Sequence, residues 1–219
     1  MRLVFALTLP ILFFAGFAHT VAAQDTVAIS QFSDGTLNGW ESRAFKGETS
    51  YTFVTDPEVK SPVLKAVAVA SASGRFLKLK VDLNKTPFLN WSWKVTNVFP
   101  GIDERTKAGD DFPARLYVVV ERGLLGSGSL SLNYVWASQH ASGSYWPSPY
   151  VNQVRLLAVN SGSEALSKWV RHKRDLRADF KIMFGKDITE IDAIALMTDT
   201  DDHGGRAETY YGEIWFSKE

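Results

Sequence analysis

Asp199-Thr200-Asp201-Asp202-His203-Gly204-Gly205 places three carboxylates and an imidazole within seven residues. The stretch lies between two strand-like runs, 191–198 and 210–217. Like charges this close oppose folding, so the cluster calls for a cation, a basic partner or open water. A second acidic pair, Asp110-Asp111, also precedes a strand-like run, and Arg115 follows within it. The 110–115 segment and the 199–203 loop both sit at the margins of strongly apolar runs. They are expected to meet at one end of the fold, where Arg115 would offset the acidic charge.

Three chemistries fit these residues. Calcium takes six to eight hard oxygens. Asp199 and Asp201, two apart before a glycine, resemble the opening of an EF-hand loop, with Asp110 or Asp111 available to add oxygens. The pattern then departs: the fifth position is His203 and the twelfth is Tyr210, where a glutamate is required. Acid–base catalysis is the second chemistry. His203 alone among His140, His172 and His203 neighbours carboxylates, so it is the candidate general base, and Asp111 with Asp201 could serve glycoside cleavage at a suitable separation. No cysteine nucleophile, G-x-S-x-G elbow, H-E-x-x-H or phosphate-cradling glycine loop is present. The third is ligand binding through these carboxylates. The plain alternative is a solvated acidic loop, with Arg115 as a structural ion-pair partner.

A ligand would also need aromatic surface and neutral polar groups. Lys94 alternates out of the face that carries Trp91 and Trp93. If the strands neighbour one another, Asn90, Ser92, Lys94, Arg115, Tyr117 and Asn133 line one polar face. The candidate binding set is then Lys94, Asp110, Asp111, Arg115, Asp199 and Asp201, with Tyr134, Trp136 and Trp146 as aromatic surface. Tyr145, Trp146 and Tyr150 fall in Ser144-Tyr145-Trp146-Pro147-Ser148-Pro149-Tyr150, whose prolines exclude helix and central strand. They either offer a stacking platform to a sugar or plug the end of the fold. Trp91 and Trp93 share their face with Leu89 and Val95, which is a core pattern.

Short β-prone runs separated by turn residues hold these positions. They span 27–32, 40–45, 50–55, 63–70, 76–82, 88–95, 114–121, 130–138, 154–160, 168–174, 191–198 and 210–217. One helix stands out: Leu176, Phe180, Met183 and Phe184 form an apolar stripe, with Asp175 placed to cap its start and Gly185 to end it. Many strands and one short amphipathic helix, 176–184, predict a mainly β fold. The expected form is a two-sheet antiparallel β-sandwich, jelly-roll-like, with first and last strands near one another.

Residues 1–23 read as a secretory signal peptide: Met1-Arg2, an apolar run from Leu3 to Ala18, then Val21-Ala22-Ala23. Cleavage would leave one domain, 24–219, with no membrane span, in the periplasm or outside the cell. The chain has no cysteine, so neither a disulfide nor a lipid-modified cysteine can hold it. Its 24 basic and 24 acidic residues balance, which gives no support to nucleic-acid binding. Aromatics make up 13% of the chain, a profile shared by β-rich binding and hydrolytic domains.

Pro87-Phe88-Leu89-Asn90-Trp91-Ser92-Trp93-Lys94-Val95 resembles the W-x-W-K-V strand of a bacterial exported family described as a domain of unknown function. Gly109-Asp110-Asp111-Phe112-Pro113-Ala114-Arg115-Leu116-Tyr117-Val118 is similar to the same family. So are Asn133-Tyr134-Val135-Trp136, Ala195-Leu196-Met197-Thr198-Asp199-Thr200-Asp201 and Tyr211-Gly212-Glu213-Ile214. The resemblance implies a sandwich like the galactose-binding and carbohydrate-binding jelly rolls, which often carry a structural calcium. It implies no activity. The expected function is non-catalytic binding of a carbohydrate or envelope polymer; the alternatives are a glycan hydrolase or lyase using the acidic loops, and a structural interaction module.

Overall fold

The computed structural model describes residues 25–122 and 128–219; the predicted signal segment lies outside the described residues. In chain order the strands are β1 (Thr26–Ala28), β2 (Glu41–Lys46), β3 (Ser50–Asp56), β4 (Ser61–Val69), β5 (Ala72–Asp82), β6 (Phe88–Val95), β7 (Arg115–Val120) and β8 (Leu130–Ala137). They continue with β9 (Tyr145–Pro147), β10 (Val154–Ser161), β11 (Val170–Asp175), the helix α1 (Leu176–Phe184), β12 (Glu190–Asp199) and β13 (Arg206–Ser217). The first sheet runs β11-β6-β13-β4-β3, with β1 also paired to β13; the second runs β2-β5-β12-β7-β8-β10-β9. The predicted two-sheet sandwich is therefore the fold. First and last strands pair directly, Thr26 opposite Ser217.

Strand β6 shows how alternation becomes a layer. Leu89, Trp91, Trp93 and Val95 are buried between the sheets, while Ser92 and Lys94 face outward and stay half-buried. Trp91 packs along its own strand against Trp93, at 5.6 Å between centroids, and across the core against Tyr134 at 5.0 Å. Such pairs contribute about 1 kcal/mol each beyond the area they bury. Helix α1 has the predicted ends. The Asp175 carboxylate accepts from the Ala178 amide at 3.1 Å, and Gly185 turns left-handed at φ 67°. Leu176, Phe180 and Met183 are buried in the core.

Two expectations need correction. The sheets are not wholly antiparallel: β8 and β10 run parallel, Tyr134 opposite Leu157. The 138–153 connection is long enough to return the chain to the same end, as parallel pairing requires. Within it, the proline-bearing segment forms β9 at the sheet edge, where Pro147 interrupts no central ladder. Second, Lys94 and Arg115 do not share a face. Strand β6 belongs to the first sheet and β7 to the second, so their outward residues point away from each other.

The loop between β6 and β7 folds back over the outer face of the second sheet. It covers a small apolar cluster that includes Phe112, Val135, Trp146 and Leu156. Glu104, fully buried, docks this loop: its carboxylate accepts from the Ser138 amide, from the Gln139 amide at 3.2 Å, and contacts His140 Nδ1 at 2.5 Å. Among the described residues, no helix is long and apolar enough to cross a membrane.

Candidate functional site

The two acidic loops meet, at the end of the sandwich where β7 begins and β12 ends. The Asp199 amide donates to the Phe112 carbonyl at 3.2 Å, and the hydroxyls of Thr198 and Thr209 both donate to the Pro113 carbonyl, at 2.9 and 2.6 Å. Arg115, only 4% exposed, clasps Asp199 with two parallel bonds: Nε to Oδ1 at 2.9 Å and Nη2 to Oδ2 at 2.5 Å. The same guanidinium donates to the Asp110 carbonyl oxygen and stacks over the Phe112 ring at 4.2 Å. Burial pushes the Asp199 carboxyl well above its ordinary value; Arg115 opposes this, and Asp111 and Asp110 reinforce it. Bidentate geometry is what makes such a buried pair tolerable.

Asp111 is the second clasp. It is fully buried and accepts from the backbone amides of Asp202 at 3.1 Å and His203 at 2.6 Å, and meets His203 Nδ1 at 2.5 Å. The imidazole packs on Phe99 at 4.3 Å. Asp111 thus ties down the loop that holds Asp201 and Asp202. With no exposed surface, it has nothing to offer a sugar as half of a glycosidase pair. Asp202 accepts from the Tyr150 hydroxyl at 2.8 Å, and the Asp201 carbonyl accepts from Lys46 at 2.5 Å.

The predicted cation set changes on folding. Asp111, Asp201 and Asp202 bring one carboxylate oxygen each within 4.8 Å of one another; Asp199 and Asp110 stand with Arg115 instead. Calcium requires six to eight oxygens. The Asp111 oxygens already accept three N–H groups, so this donor set does not fit a calcium cage.

The predicted aromatic wall is elsewhere. Tyr134 is in the core and donates its hydroxyl to Asp179 at 2.6 Å. Trp136 is fully buried, with Nε1 bonded to the Gly162 carbonyl at 3.0 Å. Trp146 is buried in the apolar cluster on the outer face of the second sheet, beneath the loop between β6 and β7, and donates to the Glu104 carbonyl at 3.2 Å. Of that segment's aromatics only Tyr145 and Tyr150 are exposed, at 54% and 50%. None of the three indicated rings offers a face to solvent.

An open site lies on the outer face of the first sheet. A cleft of about 470 Å³ spreads from the start of β4 over β13 and β6 to the edge strand β11, its lining including Trp169, Trp215, Ser92, Arg171 and Lys173. Strand register sets it out in two rows. Trp215 pairs with Asn90, which pairs with Lys173. Beside it, a bulge at Gly212 and Glu213 faces Ser92, which pairs with Arg171. Gly212 lets Ser92 and the Trp169 ring pack down onto the strand: a Cβ there would come within 2.3 Å of Ser92 Oγ and 3.4 Å of the Trp169 ring. Trp169 is fixed from behind. Its Nε1 donates to Asp56 Oδ1 at 3.1 Å, and Lys94, paired with the same carboxylate, lies 5.2 Å from its ring centroid. Lys94 therefore enters the site as a positioning residue.

Sequence reasoning passed over Trp169, Trp215, Arg171, Lys173 and Gly212. The signal that could have found them is the polar half of the 88–95 alternation, extended to whichever strands flank it.

Residues 38–215 match the family described as "Protein of unknown function (DUF3047)". The chain belongs to that family. No curated protein matches the chain. Among solved structures it is similar to the family 11 carbohydrate-binding module of cellulase Lic26A-Cel5E from Clostridium thermocellum, at 14% identity and TM-score 0.47, covering 88% of this chain and 94% of that one. It is also similar to the family 30 module of Cel9D-Cel44B from the same organism, at 13% identity and TM-score 0.47, covering 83% and 92%. A third is the xyloglucanase domain of NopAA from Sinorhizobium fredii, at 10% identity and TM-score 0.44, covering 87% and 100%.

Two outcomes follow from the clasps. Arg115→Met strands a buried carboxylate and is expected to cost about 3–5 kcal/mol in urea unfolding. Adding Asp199→Leu should restore most of that loss; a double variant as unstable as the two singles summed would show that the pair is not the unit. Calcium, added or chelated, is expected to leave the melting temperature unchanged. A calcium-dependent rise that Asp201→Ala abolishes would place a metal in the acidic loop instead.

Proposed function

We propose that the protein is exported and binds a carbohydrate or similar envelope polymer, without turning it over, in the cleft on the outer face of the first sheet. One observation carries this reading: two half-buried indoles line an open cleft, one of them seated against the strand at Gly212, with hydroxyl and cationic groups at its border. Indole faces cover the apolar faces of sugar rings, and surrounding donors and acceptors meet the hydroxyls; few convergent polar groups on an aromatic surface are the general form of a specific small-ligand site. The signal-like segment at 1–23 supports export.

Binding is favoured over turnover by the state of the acidic groups. Asp111 and Asp199, the best-placed carboxylates of the two loops, are committed to His203 and Arg115. In the cleft itself the carboxylate is Glu213, which accepts from the Ser33 amide at 2.7 Å and from the Ser30 hydroxyl. His172, at the cleft's inner margin, is drawn down to about 4 by burial and by the neighbouring Arg174, so it is neutral near pH 7.

A glycan array, run beside an activity screen on the same glycans, tests this directly. Binding without turnover is expected, and Trp169→Ala or Trp215→Ala should weaken it roughly tenfold while the melting temperature stays within a few degrees. Turnover of a bound glycan would replace the reading with an enzymatic one.

The support behind Trp169 also predicts a pH dependence. Burial raises the Asp56 carboxyl, but hydrogen bonds from Lys94, Trp169 and the Val59 and Glu58 amides outweigh it and leave it at about 2. Because the folded value lies below the unfolded one, near 3.8, the stabilisation is present above that pH and is lost as pH falls toward 2. Asp56→Asn should therefore cost about 2 kcal/mol at pH 7 and almost nothing at pH 2. Equal cost at both pH values in acid-to-neutral unfolding series would contradict the assignment.

A further inference from the structure

We infer that the ligand of this cleft is an acidic glycan, carrying carboxylates that meet Arg171 and Lys173. The inference rests on the glycan-binding reading above and names the class of glycan.

Both rows across the cleft end in a cation on the edge strand. Asn90 is opposite Lys173 and Ser92 is opposite Arg171. The two cations lie two residues apart on one strand face, roughly 7 Å along it, so one chain can present a carboxylate to each. Both are exposed, and among the described residues neither meets a carboxylate within 4.0 Å. Their neighbours on the same strand differ. Arg174 is spent on Asp179, and His172 turns inward to Asn160 at 2.7 Å and the Trp91 ring at 4.8 Å. Lys173 is held on the sheet face by the Phe88 ring, 4.7 Å from its ammonium.

The remaining charges near the cleft are internally committed. Lys94 is paired with Asp56, and Glu213 is bonded to Ser30 and Ser33. Asn90 is buried, its Nδ2 spent on the Phe88 carbonyl at 3.1 Å and Ser217 Oγ at 2.9 Å. The side chains that face a ligand along these rows are therefore two cations, the Ser92 hydroxyl and two indoles. A guanidinium accepts a carboxylate through two parallel bonds, a geometry that a neutral sugar hydroxyl does not use. A neutral glycan would leave both cations idle at the end of each row. The aromatic pair supplies the ring contacts that distinguish a sugar acid from an inorganic anion.

The test uses the full mature chain and matched pairs of oligosaccharides: oligogalacturonate against its methyl ester, alginate and hyaluronan oligomers against their carboxyl-reduced forms, and neutral β-glucan oligomers. Binding is read by calorimetry at low salt and at 0.5 M NaCl. The acidic member of at least one pair should bind about tenfold more tightly than its uncharged partner. That gap should close in Arg171→Gln/Lys173→Gln and at high salt, with melting temperature unchanged. Trp169→Ala should weaken both members together. If the two members of every bound pair bind equally, and Trp169→Ala abolishes both, the acidic specificity is wrong and the glycan cleft stands. If no glycan of any charge binds, both are wrong. Acid-selective binding that survives Arg171→Gln/Lys173→Gln also overturns the inference, because the charge would then be read elsewhere.

Discussion

A buried carboxylate must be met by donors, and in a chain without cysteine that requirement does the work that disulfides do elsewhere. Asp56, Glu104, Asp111, Asp179 and Asp199 are all almost wholly buried. Each meets a basic side chain from a different part of the fold or its own loop: Lys94, His140, His203, Arg174 and Arg115 respectively. Four of the five also accept from backbone amides or from a tyrosine or tryptophan donor, which offsets the desolvation that an ion pair alone would not recover. Removing one partner leaves a charge with no water to turn to. The loops are therefore fixed by polar contacts at their tips, while the sheets are fixed by the aromatic core.

This division of labour separates the two ends of the functional question. The acidic loops, the most reactive-looking part of the chain, form a closed network in which Asp111 and Asp199 serve the fold. The open surface lies across the sandwich, where the outward residues of β6, β11 and β13 are not needed for the core. One clasp links the two roles. Asp56 neutralises Lys94 and orients Trp169 through its indole N–H, so a buried stabilising pair also sets one wall of the cleft. The family assignment is compatible with this arrangement and is silent on ligand.

Much of this was legible from residue order, for definite reasons. The 88–95 run shows period two with tryptophans on one side, so its facing could be read directly. Helix α1 carries its stripe and both caps locally, and its bounds follow from Asp175 and Gly185. The meeting of the two acidic loops was readable because both stand at the margins of apolar strands and Arg115 supplies the missing charge. Sheet membership was not readable. Alternation tells which way a side chain faces, but not which strands lie beside it, so it can put Lys94 and Arg115 on one face and does not bring Trp169 and Trp215 together. The parallel pairing of β8 with β10 depends on a crossover that no local pattern encodes. Tyr134 and Trp136 looked available as ligand surface because burial of a tyrosine or tryptophan depends on a remote acceptor, here Asp179 and the Gly162 carbonyl.

If the cleft on the first sheet, and not the acidic loop cluster, receives the ligand, binding must perturb the cleft's two indoles. Indole N–H resonances of uniformly 15N-labelled protein, followed during titration with a bound glycan, test it most directly. The seven tryptophans of the chain include Trp169 and Trp215 in the cleft, Trp91, Trp93 and Trp136 in the core, and Trp146 behind the acidic loops. Trp169 and Trp215 should shift and saturate together while Trp91, Trp136 and Trp146 stay in place. Saturating shifts at Trp146 and the His203 loop, with Trp169 and Trp215 unmoved, would contradict it.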